Sequence, residues 1–357
     1  MRFIGCKKLL LEDIENVINE NIKDAETFCD IFSGTTVVAQ NFKSRFKIIT
    51  NDLLNFSYCI QKGIIENTHK PNFKKLAEIK NIKNPIKYFN SLSTIQMNDE
   101  LPHVKRFCQN NYSPNGNRMY MTNENALKID YIRNKIEEWK NEHLIENNEY
   151  YYLLTSLIEA VPYISNISGT YGAYNKWWDK RALNRLTLKD IDICDNKKNN
   201  LAFNEDGLKL LSKISGDILY IDPPYNNRQY CPNYHVLETI AMYDFPILKG
   251  ITGQRDYQNK KSSFCNKTSV LKSFEELIKK AKFKHIILSY SNEGLMSIVD
   301  IEKILKKYGI KESFKKYEIP YRRFKSNKSS SNKELKELLF YIGKENVCWT
   351  GIYKITP

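Results

Sequence analysis

The strongest constraint on the fold is the run Ile218-Leu219-Tyr220-Ile221, which ends abruptly in Asp222-Pro223-Pro224-Tyr225. An apolar run of this length predicts a strand of a sheet core. Two consecutive prolines cannot donate ladder hydrogen bonds, so the strand stops and Asp222 to Tyr225 lie beyond its carboxyl end. In open parallel sheets, ligands bind at that edge. Taken alone, the motif also reads as a strand broken at a surface turn.

The chain upstream supplies the start of such a sheet. Residues 7–22 repeat Leu and Ile at helical spacing, and residues 27–32 form an apolar run ending in Ser33-Gly34. A helix over 36–43 and a strand over 46–50 complete a strand–helix–strand unit. From about 55 to 186 the pattern changes to a segment rich in Asn, Lys and Tyr, with helix-like apolar stretches at 131–143 and 150–161. The sheet resumes with the 217–221 strand, a helix over 234–243, a strand over 284–290 and a helix over 298–307. Residues 314–319 and 337–342 predict a final antiparallel pair around a Lys/Ser/Asn-rich loop at 322–333. The expected class is therefore α/β, with 1–54 and 187–357 forming one sheet domain and 55–186 an inserted, mainly helical domain.

Charge narrows the partners. Lys and Arg number 55 against 41 Asp and Glu, a net charge of +14, which points to a polyanion without choosing among DNA, RNA and a membrane surface. No uncharged run approaches the roughly 18 residues of a membrane span, and the N-terminus shows no signal-peptide core. A soluble, intracellular protein is expected. The eight cysteines include no Cys-x-x-Cys pair and the five histidines are dispersed. Neither a disulfide framework nor a metal is therefore expected.

A second constellation sits at the first two strand ends: Asp30-Ile31-Phe32-Ser33-Gly34, then Asn51-Asp52. An acidic side chain at the second position suits the two hydroxyls of a ribose. The position is ambiguous between Asn51 and Asp52, and Asp52 is favoured because it alone offers a carboxylate. Gly34 is followed by Thr35-Thr36, so the Gly-x-Gly-x-x-Gly that cradles a pyrophosphate is missing. A phosphate-free nucleoside fits better than a dinucleotide.

Phe3-Ile4-Gly5-Cys6-Lys7, Asp30-x-Phe32-x-Gly34 and Asp222-Pro223-Pro224-Tyr225, in this order, resemble the Dam-like DNA adenine N6-methyltransferases of bacterial restriction-modification systems. Residues 168–174 (Ser-Gly-Thr-Tyr-Gly-Ala-Tyr), 178–181 (Trp-Asp-Lys-Arg) and 226–241 are similar to stretches of a type II modification subgroup. The resemblance implies a Rossmann-like S-adenosylmethionine-dependent methyltransferase sheet with S-adenosyl-L-methionine as cofactor. It also implies double-stranded DNA as substrate, a cognate restriction endonuclease encoded nearby, a monomer or weak dimer, and a cytoplasmic enzyme at the bacterial nucleoid. Carried over by position, Phe3, Gly5 and Lys7 border the methionine end of the cofactor and the target base. Asp30, Phe32 and Gly34 line the cofactor cleft, Asp52 holds the ribose, and Asp206 of Asn204-Glu205-Asp206 meets the cofactor's adenine. Ser291-Asn292-Glu293-Gly294 forms the far wall of the base pocket.

The residue types fit that chemistry. An adenine N6 amine is a poor nucleophile because its lone pair is delocalised into the ring, so it needs acceptors that draw it toward tetrahedral geometry. Asp222 and the Pro223 carbonyl provide two, Pro224 fixes their backbone, and Tyr225 offers a face to an extruded base. Cytosine C5 chemistry needs a Pro-Cys nucleophile, and here Cys231-Pro232 is reversed. Transfer to a cytosine N4 amine uses a similar tetrapeptide, more often with Ser first, so Asp222 favours adenine. An RNA or protein amide substrate and a non-catalytic DNA-binding protein on the same scaffold stay open. An endonuclease is disfavoured, since no metal-binding acidic cluster is joined to a Lys. For DNA contact, Tyr171, Tyr174, Lys180 and Arg181 in the loop 169–181 are the best candidates for entering a groove. Arg228, Tyr230, Arg322 and Arg323, with Lys325, are placed to clamp phosphates at the catalytic mouth or to steer DNA.

Overall fold

The computed structural model describes residues 4–320 and 336–345. Phe3, Arg322, Arg323 and Lys325, with the whole 322–333 loop, lie outside the described residues.

Seven strands form one sheet: β1 (Thr27–Asp30), β2 (Lys47–Asn51), β3 (Leu201–Phe203), β4 (Gly216–Ile221), β5 (Phe283–Ser291), β6 (Lys315–Pro320) and β7 (Lys336–Gly343). Their spatial order is β3-β2-β1-β4-β5-β7-β6. The first five are mutually parallel, and β7 runs antiparallel between β5 and β6, as the expected final pair requires. All six residues of β4 are buried, so the run that anchored the sequence reading is the centre of the sheet. Chain order reverses between β1 and β4, whose register pairs Phe28 with Ile218 and Asp30 with Tyr220. The crevice outside strand ends at such a reversal is where open α/β sheets bind ligands.

Both faces of the sheet are covered. On one, the helices Val270–Lys280 and Ile298–Tyr308 turn Phe274, Leu277 and Ile278, and Ile301 and Leu305, onto β4 and β5; apolar residues at these spacings lie on one helical stripe. The first of these helices was not anticipated from sequence. On the other face lie Leu11–Asn21, Val37–Phe42 and the long helical passage that joins β2 to β3.

That passage includes Asn123–Asn141, opened by a Thr122 cap on Asn125 N–H, and Asn147–Ala160, opened by a reciprocal Glu146–Glu149 capping box. Its apolar side chains, such as Leu127, Ile132, Leu153 and Leu157, belong to the same core as Phe28 and Ile48 of the sheet. Polar ties reinforce the contact. Arg133 is buried and donates to the Ile240 carbonyl at 2.7 Å, and Glu238 accepts the Asn55 and Phe56 N–H groups at 3.0 and 3.1 Å. Such charge-assisted bonds from buried groups fix one geometry. Among the described residues no helix is long and apolar enough to cross a membrane.

Candidate active site

The ends of β1, β2, β3 and β4 open into one cleft that is open to solvent, at the strand ends where open α/β sheets bind ligands. Its walls carry Gly5, Phe32, Gly34, Asp52, Asp206, Asp222, Pro224, Tyr225 and Tyr230. Nine residues singled out in sequence, drawn from six stretches of the chain, therefore meet in one place.

Each is positioned by its own backbone. Gly5 and Gly34 both have left-handed φ angles, +77° and +51°, a conformation glycine adopts without a Cβ clash. Gly34 N–H donates to Asp52 Oδ2 at 2.9 Å, and Leu54 N–H donates to Asp52 Oδ1 at 2.9 Å. Asp52 is thus held in place on the cleft wall by two backbone donors. Asn51 is spent elsewhere: its amide donates to the Ile31 and Glu205 carbonyls and accepts Glu205 N–H. Both residues line the cleft; Asn51 ties the end of β1 to the loop after β3, and Asp52 accepts from the Gly34 and Leu54 backbones. Asp206 caps the short helix Gly207–Leu210, and Phe32 meets Phe264 edge-on at 5.2 Å.

Beneath the cleft lies a buried charge array. Lys7 Nζ is 3.2 Å from Asp222 Oδ1 and 3.4 Å from Glu337 Oε2, and its ammonium stands 5.7 Å from the centre of the Tyr225 ring. Burial alone would lower Lys7, but the Asp222 and Glu337 carboxylates outweigh it and hold it above the ordinary lysine value. Burial pushes the Asp222 carboxyl up to about 6, against the pull of Lys7 and with the push of Glu337. Asp52 is also raised to about 6 by burial, against its two backbone N–H donors. Asp30 sits at the sheet edge behind the cleft, pushed well above the carboxylate range by burial and by the charges of Asp222 and Asp52. Its Oδ1 is buried without a hydrogen-bond partner. Perturbed carboxyls gathered in a cleft are a signature of functional sites.

Several cleft residues had no sequence signal of their own. Gln229 exchanges two hydrogen bonds with the Ser262 backbone, at 2.8 and 3.1 Å, which seats Lys260, Ser262 and Phe264 on the rim. Glu337 enters through the register of β7. Other expectations are corrected. Tyr171 is 1% exposed, bonds Ser165 through its hydroxyl and is surrounded by Tyr120 and His235, so it holds its loop from inside and has no surface to offer DNA. Arg181 turns inward toward the Ser165 and Ile167 carbonyls. Tyr174 is half-buried against Tyr120, while Lys180 and Arg228 are exposed. Ser291 to Gly294 do not line the cleft; the next residue, Leu295, donates to the Tyr225 carbonyl at 2.9 Å and supports the motif from behind. Among the described residues, no group of three His, Cys, Asp or Glu is arranged to hold a metal ion.

A cleft at a β1/β4 reversal, with Asp222, Pro224 and Tyr225 on its wall, accords with a sequence match to the model of the D12 class N6 adenine-specific DNA methyltransferases over residues 3–306. The chain belongs to that family. Within it, the chain is 51% identical to the type II methyltransferase M.FokI of Planomicrobium okeanokoites, covering 97% of this chain and 53% of that protein. It is 47% identical to the modification methylase StsI of Streptococcus sanguinis, covering 97% and 52%. The chain thus spans about half the length of these relatives. With the type II methyltransferase M.NlaIII of Neisseria lactamica it is 37% identical over 93% of this chain and 94% of the other. The D12 family assignment agrees with the resemblance carried by the short motifs.

Proposed function

We propose that this D12 family member transfers a methyl group from S-adenosyl-L-methionine to the N6 amine of an adenine flipped out of duplex DNA, as the modification enzyme of a restriction-modification system. The observation that carries the reading is the convergence of Asp222, Pro224 and Tyr225 with Phe32, Gly34, Asp52 and Asp206 in one cleft.

The residues suit the cofactor. Gly5 and Gly34 allow close backbone approach, and Asp52 offers acceptors for ribose hydroxyls. When bound, the cofactor supplies an electrophilic methyl on a sulfonium. The rest is work for the protein. Asp222 and the Pro223 carbonyl accept the two N6 hydrogens, which lowers delocalisation of the amine lone pair and stabilises the positive charge that grows on nitrogen. Lys7 fixes the Asp222 carboxylate from below. Tyr225 and Tyr230 on the cleft wall stack on the base and exclude water. Residues 55–186 serve target recognition, with Lys180, Tyr174 and Arg228 at the DNA face and Arg322 and Arg323 as phosphate clamps. A bacterial cytoplasmic enzyme at the nucleoid, working beside a cognate endonuclease as a monomer or weak dimer, completes the proposal.

The test is transfer of labelled methyl from S-adenosyl-L-methionine to unmethylated duplex DNA. The wild-type chain is expected to label it, and Asp222→Ala to lose labelling while keeping its circular dichroism. Full activity in Asp222→Ala overturns the assignment.

A further inference from the structure

The segment between the helix Tyr230–Met242 and the cleft rim at Lys260 carries an arrangement that none of the motifs explains. It turns back on itself tightly, Lys249 and Gln254 exchanging both backbone hydrogen bonds at 2.8 and 2.9 Å around Gly250 and Gly253, which have φ of +71° and +65°. The turn is fixed from several sides. Arg118 donates to the Gly250 and Ile251 carbonyls at 3.1 and 2.9 Å, and Tyr120 to the Thr252 carbonyl at 2.9 Å. At its base, the buried Arg255 grips both oxygens of Asp244. Yet Ile247 and Ile251 are each 84% exposed. Ile251 sits on the turn and Ile247 two residues before it, and neither contributes much buried area to the fold.

Position and charge indicate what they touch. The Tyr120 hydroxyl, with one proton for both carbonyls, also lies 2.7 Å from the Tyr171 carbonyl, and Tyr171 N–H donates to Asn233 O at 2.8 Å, one turn from Gln229 and Tyr230 of the cleft. The turn and the loop 166–181 are thereby tied, through buried Tyr120 and Tyr171, to the helix that opens at the cleft. On the loop, Trp177 is 71% exposed. Lys249 on the turn and Lys176 and Lys180 on the loop are exposed, while Asp244 and Asp179 are engaged by Arg255 and Arg181. Exposed apolar side chains and exposed lysines on elements tied to the cleft match duplex DNA, whose stack admits aliphatic wedges and whose phosphates flank them.

We infer that Ile247 and Ile251 form a preformed wedge that enters duplex DNA next to the extruded base, with Lys249 on the neighbouring phosphate. This rests on the DNA-methylation reading. Preorganisation matters because a wedge that is already ordered loses little freedom on insertion. The turn thus acts on the base-extrusion step, and the chemistry belongs to Asp222.

The experiment uses the full chain and a duplex containing the adenine that sequencing shows to be modified, either normally paired or opposite an abasic site. In the Ile247→Ser/Ile251→Ser double variant, kcat/KM on the paired duplex is expected to fall about 10- to 100-fold. On the abasic duplex, where extrusion is already easy, it should stay close to wild type. The fluorescence rise of 2-aminopurine at the target position should be lost only in the paired duplex. Lys249→Gln should lower the slope of log affinity against log salt by about 1 on both duplexes. Equal loss on both duplexes, or unchanged kinetics on the paired one, overturns the wedge. So does a dimer in sedimentation that the double variant abolishes with kinetics unchanged, since the tips would then join two copies. Wild-type protein that methylates neither duplex would instead refute the DNA-methylation reading itself.

Discussion

Lys7 is the cation between two buried carboxylates, so replacing it by glutamine is a quantitative probe of the site. At 3.2 Å and an effective dielectric of about 20, its attraction to Asp222 is on the order of 5 kcal/mol before desolvation is counted. A cation this close typically makes a carboxyl titrate about 1 to 3 pH units lower than it otherwise would. Asp222 already titrates near 6 with Lys7 present. In Lys7→Gln the acid limb of kcat/KM should therefore move from about 6 to between about 7 and 9. Protonated Asp222 keeps a carbonyl acceptor but loses the negative charge that stabilises the developing cation. At pH 7 its ionised share falls by about 2- to 90-fold, and activity falls with it, recovering as the pH is raised. The assay is labelled methyl transfer between about pH 5.5 and 9.5, with thermal unfolding followed in parallel because a broken buried pair costs about 3–5 kcal/mol. An acid limb at the same pH in variant and wild type would refute the reasoning, whatever the loss in rate.

Two further outcomes follow from the geometry. Gly34→Val places a branched side chain at φ +51° on the cleft wall, and S-adenosyl-L-methionine affinity, measured by calorimetry, should fall by about tenfold or more with DNA affinity unchanged. Tyr171→Ala leaves a cavity in the core and should cost about 3–5 kcal/mol of unfolding free energy, with the salt slope of DNA binding intact; a lost phosphate contact without destabilisation would return Tyr171 to the surface.

Where the sequence could be read, local physics decided the outcome. β4 stood out because an apolar run meets two prolines, and β1 and β2 because each ends in a turn-forming pair. β3 escaped notice: its three residues Leu201–Phe203 are all half-buried, too short for any period and dependent on β2 for pairing. The helix Tyr230–Met242 begins four residues before its periodicity suggests, across a kink at Tyr234.

In the site, residues on motifs were legible and residues supplied by packing were not. Glu337 lies 330 positions from Lys7, and only the β5–β7 register brings it there. Tyr171 looked like an exposed aromatic in a glycine-rich loop. Its burial depends on Tyr120 and His235, which approach from other elements. Asn51 and Asp52 both line the cleft, and only the fold shows that their hydrogen-bond partners differ.

The central claim is tested most directly by nucleoside analysis of DNA methylated by the purified chain. The account predicts N6-methyladenine as the product, at one sequence context, dependent on S-adenosyl-L-methionine. N4-methylcytosine, or DNA that remains unmodified in the presence of cofactor, would contradict it.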